Sequence, residues 1–267
     1  MTHQPLGRDF NQQHAYERDA NLSFDPDSHT YTHLDSEKPL TSVTSFISSF
    51  FEEYDPYFWI KKDTSLTQEE VQKRISEQDQ KGFVARNLGT FMHTQIENFF
   101  LGQEAQKEMA LVHDNGIQSN YSIEKELHYF EDFVTEHRPI PYRTEWMIYD
   151  EDLWLAGTLD LLVQEPNGSF TIYDWKRSRR MGREYGTAFY PNNRNFHQSG
   201  KGSLSHLADT PFIHASLQQN LYRYILKSKY DIHVDKMYLV ILSPTFSRFH
   251  KIAVPDMDNE VKLMLNI

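Results

Sequence analysis

The stretch Gly157 to Arg183, GTLDLLVQEPNGSFTIYDWKRSRRMGR, decides how this chain reads. Leu159 to Gln164 is a short apolar run, and Ser169 to Trp175 is rich in Phe, Ile, Tyr and Thr. Pro166-Asn167-Gly168 between them is strong turn chemistry, so the pattern predicts two β-strands joined by a three-residue loop with glycine at its left-handed position. In that register Glu165 pairs with Ser169, and Asp160 falls directly opposite Asp174. Side chains opposed in this way share a face, with Cβ atoms about 4.5–5.5 Å apart. A loop one residue shorter or longer would send one carboxylate to the other face.

Two carboxylates so placed repel unless a proton or a cation lies between them. Lys176, two residues past Asp174, projects from the same face. Converging carboxylates suit Mg²⁺ or Mn²⁺, and an adjacent ammonium can orient a nucleophilic water or stabilise charge building on a phosphate. The bland alternative is a solvated hairpin with surface charges. The register, which brings both aspartates to one place at the ends of apolar segments, favours the site.

Gly157-x-x-Asp160 followed by Asp174-x-Lys176 resembles the PD-(D/E)xK nuclease superfamily, and its RecB-like exonuclease branch in particular. Gly89-Thr90-Phe91-Met92-His93-Thr94-Gln95-Ile96-Glu97 is similar to that branch's helix with a metal-binding histidine, and Gln218-x-x-x-Tyr222 to its QxxxY helix. The pieces stand in the family's order from Gly89 to Tyr222. Two departures are Leu159 in place of the nominal proline and Asp174 as an aspartate where the motif also allows glutamate.

The resemblance implies an α/β, restriction-endonuclease-like core: a mixed central sheet flanked by helices. It implies metal-dependent hydrolysis of DNA, with His93, Asp160, Asp174 and the carbonyl of Trp175 as metal ligands and Asp160, Asp174 and Lys176 as the catalytic set. Gln218 and Tyr222 would bind substrate, a base resting on Tyr222. Glu97 is expected in support, orienting His93 or a water. Glu145 has two readings, a glutamate beside the site as the branch often carries or a plain surface residue.

Composition sets the bounds. The 267 residues suffice for one sizeable domain, and the division expected is 1–84 as an N-terminal extension and 85–267 as the nuclease core. There is no cysteine, so disulfides and cysteine-ligated iron–sulfur clusters are excluded, unlike in relatives of the branch that carry a cluster. No apolar run approaches the length of a membrane span, and the N-terminal residues have no apolar signal core, so an intracellular protein is expected. A net charge of −11 argues against coating nucleic acid by bulk electrostatics. Basic residues are instead concentrated after the second strand, where Arg177, Arg179, Arg180 and Arg183 are placed to grip phosphates. The partner expected is DNA, single-stranded or with single-stranded ends, cut by an exonuclease. The competing classes are a restriction-type or structure-specific endonuclease and an inactive nucleic-acid-binding protein on the same fold.

Elsewhere, residues 1–20 read as a loosely held arm and Leu22 to Leu34 as a hairpin. Thr41 or Ser42 reads as the cap of a short helix. The aromatic cluster Tyr54 to Trp59 reads as core rather than as a stacking platform. Thr67 and Glu70 fit a capping box opening a helix to Gln80, and a separate helix is expected over Gly89 to Leu101. Residues 102–119 read as a polar connection. Ile123, Leu127, Phe130 and Val134 mark an amphipathic helix. Strands are expected over Arg143 to Tyr149 and Leu153 to Val163. Residues 184–211 form a long segment able to guide a strand, followed by a helix from Ile213 to Lys229, further strands and a short last helix.

Overall fold

The computed structural model describes residues 10–114, 116–195 and 198–267. Its centre is the hairpin of β7 (Leu155–Gln164) and β8 (Phe170–Lys176). The register is the one read from the sequence: Gln164 faces Phe170 and Leu161 faces Tyr173. The turn closes with Glu165 N–H on the Ser169 carbonyl at 2.8 Å and Gly168 N–H on the Glu165 carbonyl at 2.9 Å. Gly168 sits at φ +86°, where a side chain would be strained.

Around this hairpin lies an eight-stranded mixed sheet. β1 (Leu22–Asp25), β2 (Thr30–His33) and β3 (Lys38–Ser42) form a meander, and β3 runs parallel to the start of β7, at Leu155 and Ala156. β6 (Pro141–Asp150) pairs antiparallel along β7. β8 pairs in parallel with β11 (Val234–Ile241), which pairs antiparallel with β12 (His250–Ala253). The paired residues of β7 toward β3 are Leu155 and Ala156, and those toward β8 begin at Leu161. Between them, from Gly157 to Asp160, β8 has parted from β7. The sheet opens there, and the acidic residues lie at that opening.

Helices cover both faces. On one face lie α2 (Val43–Ser48), α6 (Pro211–Tyr230) and α7 (Asp258–Leu265), with a core that includes Ile47, Leu159, Leu162, Ile172, Leu221 and Ile241. On the other lie α4 (Gln68–Phe100) and α5 (Glu124–His137), whose Met92, Ile96, Phe130 and Phe133 pack on Leu161, Trp175 and Val240. Each such fully buried side chain contributes about 1.5–3 kcal/mol. Leu159 and Leu161 would share a face in a regular strand, yet they belong to opposite cores. The switch falls at Asp160. On β6 the residue in register with Asp160 is Glu145, whose φ of +42° is a conformation a non-glycine residue rarely takes. The distortion of both strands turns their carboxylates to one place.

The caps follow the sequence. Ser42 Oγ accepts the Ser45 N–H at 3.1 Å, Thr67 and Glu70 close the capping box of α4, and Thr210 caps α6 with Pro211 in its first turn.

Five expectations are corrected. The two helices expected over 67–80 and 89–101 are one: α4 runs unbroken for 33 residues. Gly82 and Gly89 weaken it by up to about 1 kcal/mol each, but no proline interrupts it. Residue 84 therefore lies inside a helix. Residues 10–20 are not loose; Asn11 Nδ2 donates to Thr144 Oγ1 at 3.2 Å, and Asp19 accepts from Arg143 and from the Trp146 indole. The part of that arm before α1 (Phe10–Gln13) lies outside the described residues. The connection 102–119 holds most of a hairpin, β4 (Glu108–Val112) with β5 (Gln118–Ser122), too short and polar to show a period. The segment 184–211 overlaps a second hairpin, β9 (Gly182–Tyr185) with β10 (Ala188–Pro191); Phe196 and His197 lie outside the described residues. Glu184 fastens this hairpin through Ser247 Oγ at 2.5 Å and His250 Nε2 at 3.0 Å. Finally, the aromatic cluster beside α3 (Phe58–Lys62) is not core: Tyr54, Phe58 and Trp59 are 56%, 42% and 72% exposed. Among the described residues, no second layer covers them.

Candidate active site

The opening between β7 and β8 gathers side chains from five elements. Asp160 comes from β7, Asp174 and Lys176 from β8, Glu145 from β6 and His93 from α4, with Gln219 of α6 behind them. Asp174 is 2% exposed and Asp160 9%. Buried carboxylates persist only with partners. Asp160 Oδ2 accepts the Trp175 N–H at 2.7 Å. That amide is free for a side chain because β8 has left β7 at this point. Gln219 Nε2 donates to Asp174 Oδ1 at 2.9 Å, and Lys176 Nζ lies 2.7 Å from Asp174 Oδ2.

His93 bridges the group. Its Nε2 is 3.0 Å from the Trp175 carbonyl, which can only accept, so that nitrogen carries a proton. Its Nδ1 faces Asp160 at 3.5 Å and Glu145 at 3.6 Å. Burial works against charging the imidazole, but the two carboxylates outweigh it and raise its pKa well above the usual histidine value. Burial also acts on Asp160, yet His93, Lys176 and the Trp175 amide hold it below the ordinary range. Asp174 goes the other way: burial and the Asp160 charge push it up to about 6, against the pull of Lys176. Glu145 is pushed up to about 7 by burial and by Asp160, with His93 opposing. Burial disfavours the Lys176 ammonium, but Asp174 and Asp160 raise its pKa nonetheless.

Three carboxylates here face one ammonium and one imidazole. One oxygen each of Glu145 and Asp160 and a ring nitrogen of His93 lie within 4.8 Å of one another. A set of carboxylate oxygens with a single imidazole, short of positive charge and beside a backbone carbonyl, fits a hard divalent cation. Of the ligands expected from the sequence, His93, Asp160 and the Trp175 carbonyl stand together. Asp174 stands behind them, tied to Lys176 and Gln219. Glu145 is in the cluster, so its second reading, a plain surface glutamate, does not hold. Glu97, one turn after His93, is half-buried and raised in pKa by that burial.

The substrate-binding set is divided. Gln218 Nε2 donates to the Tyr222 hydroxyl at 2.9 Å. Tyr222 is 2% exposed, and its ring covers Gly157: a Cβ there would lie 2.5 Å from Tyr222 Cε1. That contact packs the two stretches together in this chain, and it corrects the expectation that a base rests on Tyr222, whose ring is buried against Gly157. Arg177 is also engaged, Nε to Glu126 Oε1 at 2.7 Å, with Glu126 1% exposed. Arg179 and Arg180 are exposed.

Gln219 was missed by the sequence reading. The signal was present: Ser216, Gln219 and Asn220 are polar residues inside a helix flanked by apolar ones, and buried polar groups need partners.

A model of the PD-(D/E)XK nuclease superfamily matches residues 65–192. The match spans His93, Glu145, Asp160, Asp174 and Lys176 and ends before Gln218. It concerns the superfamily as a whole and does not reach a branch. The central mixed sheet flanked by helices is consistent with that superfamily's restriction-endonuclease-like fold. No curated protein matches the chain. Among solved structures it is similar to one titled "Crystal structure of SSO0001", at 14% identity over 85% of this chain and 72% of that one, with a TM-score of 0.34. A likeness at that level carries no argument. Among the described residues, no helix is long and apolar enough to cross a membrane.

Proposed function

We propose that this chain is a metal-dependent deoxyribonuclease of the RecB-like branch, an exonuclease acting on DNA with single-stranded ends. The observation that carries the reading is the gathering of His93, Glu145, Asp160, Asp174 and Lys176 where β8 parts from β7. His93, Asp160 and the Trp175 carbonyl, with Glu145 or Asp174, would hold Mg²⁺ or Mn²⁺. A cation there polarises a phosphate oxygen and lowers the pKa of a water. Lys176, charged between two carboxylates, supplies positive charge where it builds on the phosphate. Gln219 fixes Asp174 from behind, and Glu97 supports the His93 face. Gln218, held by Tyr222, and the exposed Arg179 and Arg180 contact the strand, while Arg177 fixes the start of the basic run on α5.

The preference for ends rests on resemblance and on position: the segment after the basic run, 184–211, lies between β8 and the Gln218 helix. The test compares one single-stranded DNA sequence in linear and circular form with Mn²⁺ present. Loss of the linear form alone is expected. Equal rates on both would make the protein an endonuclease, and no cleavage of either with any divalent cation would overturn the reading.

A further inference from the structure

The exposed aromatic cluster, which no element among the described residues covers, has no role in the site above. It is a built feature. Gln78 Nε2 of α4 donates to the Pro56 carbonyl at 3.1 Å, and the Tyr57 hydroxyl donates to Asp79, so the segment is fixed on a long helix. Phe58 and Trp59 stand edge to face at 5.1 Å. Arg180 lies over the Tyr54 ring at 5.4 Å and Lys62 over the Phe58 ring at 4.3 Å. These five side chains line a cleft of about 620 Å³. Glu53 and Asp55 are also on its wall, but Asp55 is matched by Lys61 at 3.1 Å.

We propose that this cleft is a stacking station for unpaired bases of the strand whose phosphate reaches Asp160 and Lys176. The proposal rests on the nuclease reading and names where its substrate is held. Aromatic faces interleaved with cations, on a protein of net charge −11, suit a single strand: the bases stack and the phosphates meet Arg180 and Lys62. A duplex hides its base faces and would gain little. The distance is suitable. Arg180 is four residues beyond Lys176, so the two backbones are within about 14 Å, no more than about four stacked nucleotides. Trp59, 72% exposed, supplies the stacking face that the buried Tyr222 does not.

The test uses the full chain with a labelled oligothymidylate single strand in chelator, where no cleavage occurs. The strand should quench tryptophan emission, because Trp59 is exposed whereas Trp146 and Trp175 are each 1% exposed and Trp154 is half-buried, its indole N–H on the Pro39 carbonyl. Trp59→Ala should weaken binding about 5- to 150-fold, the range of one base–aromatic stack, at both low and high salt. Trp59→Phe should keep most of the affinity and lose the quench, which separates stacking from misfolding. Arg180→Ala should instead flatten the salt dependence. Wild-type affinity in Trp59→Ala overturns the proposal even if cleavage is normal. Trp59-dependent binding by a protein that cleaves nothing would leave the station standing and remove the nuclease reading.

Discussion

The acidic cluster and the aromatic cleft lie at the two ends of one short stretch, and they are built on opposite terms. Asp160 and Asp174 are buried and each carboxylate is held by a donor, the Trp175 amide on one and Gln219 and the Lys176 ammonium on the other. At Tyr54, Trp59 and Arg180 the groups stand in water. Electrostatic interactions are strong in the first environment and screened in the second. Substitutions in the cluster should therefore change chemistry and stability together, whereas those in the cleft should change binding and leave the fold alone.

The largest effect should come from Asp160→Asn and Asp174→Asn. Each removes a charge from the cation site, so cleavage should fall about 1000-fold or more and Mn²⁺ affinity should drop. Unchanged Mn²⁺ affinity by calorimetric titration in both variants would refute the site. The metal-free proteins should diverge near pH 8. Asp160 is stabilised in its ionised form and should lose stability as asparagine, while Asp174, pushed up to about 6, should gain.

Next comes Lys176→Ala, expected to slow cleavage about 100- to 1000-fold while leaving DNA affinity nearly intact, since it is one cation among several. Equal losses in rate and affinity would move Lys176 from the chemistry to the binding surface.

The basic run divides along the same line. Arg177→Ala leaves the buried Glu126 unpaired and should cost about 3–5 kcal/mol of stability by denaturant melt. Arg179→Ala with Arg180→Ala should leave the melt unchanged, weaken DNA binding and flatten its salt slope. If Arg177→Ala is as stable as wild type, the contrast between the buried and exposed arginines fails.

How much of this was legible depends on range. The β7–β8 register, the caps at Ser42 and Thr67 and the stripe of α5 are set by residues close in sequence, and all could be read. The gathering of His93 with Asp160 came through resemblance, because nothing local links residue 93 to residue 160. The fate of Tyr54 to Trp59 could not be read at all. Aromatic residues read as core by default, and only the tertiary structure shows that no layer among the described residues lies over them. Arg177 and Tyr222 failed for a related reason: a cation or ring near a site looks available until its tertiary partner, Glu126 or Gly157, is known. Glu145 is the subtlest case. Its placement needs a positive φ in mid-strand, which no propensity of glutamate announces.

That residue gives the smallest effect and the sharpest test of the buried half. Glu145 has a folded pKa of about 7 against 4.5 for the ordinary group. Between those values the folded chain keeps a proton that the unfolded chain has lost. Its contribution to stability is therefore full below about pH 4.5 and is lost as pH rises through about 7. Glutamine cannot lose that proton. Glu145→Gln in chelator should accordingly lose less Tm than wild type between pH 5 and pH 8, at about 2–4 °C for each kcal/mol involved. His93 acts in the same sense, since its raised pKa also favours the folded state at low pH, and without the Glu145 charge part of that rise goes too. Adding Mn²⁺ at pH 8 should restore Tm more in wild type than in the variant, because the cation takes over the role of the lost proton. Parallel pH profiles for the two proteins would mean that the Glu145 carboxylate is not held in the cluster, and the contrast between the buried opening and the exposed cleft would fail at that residue.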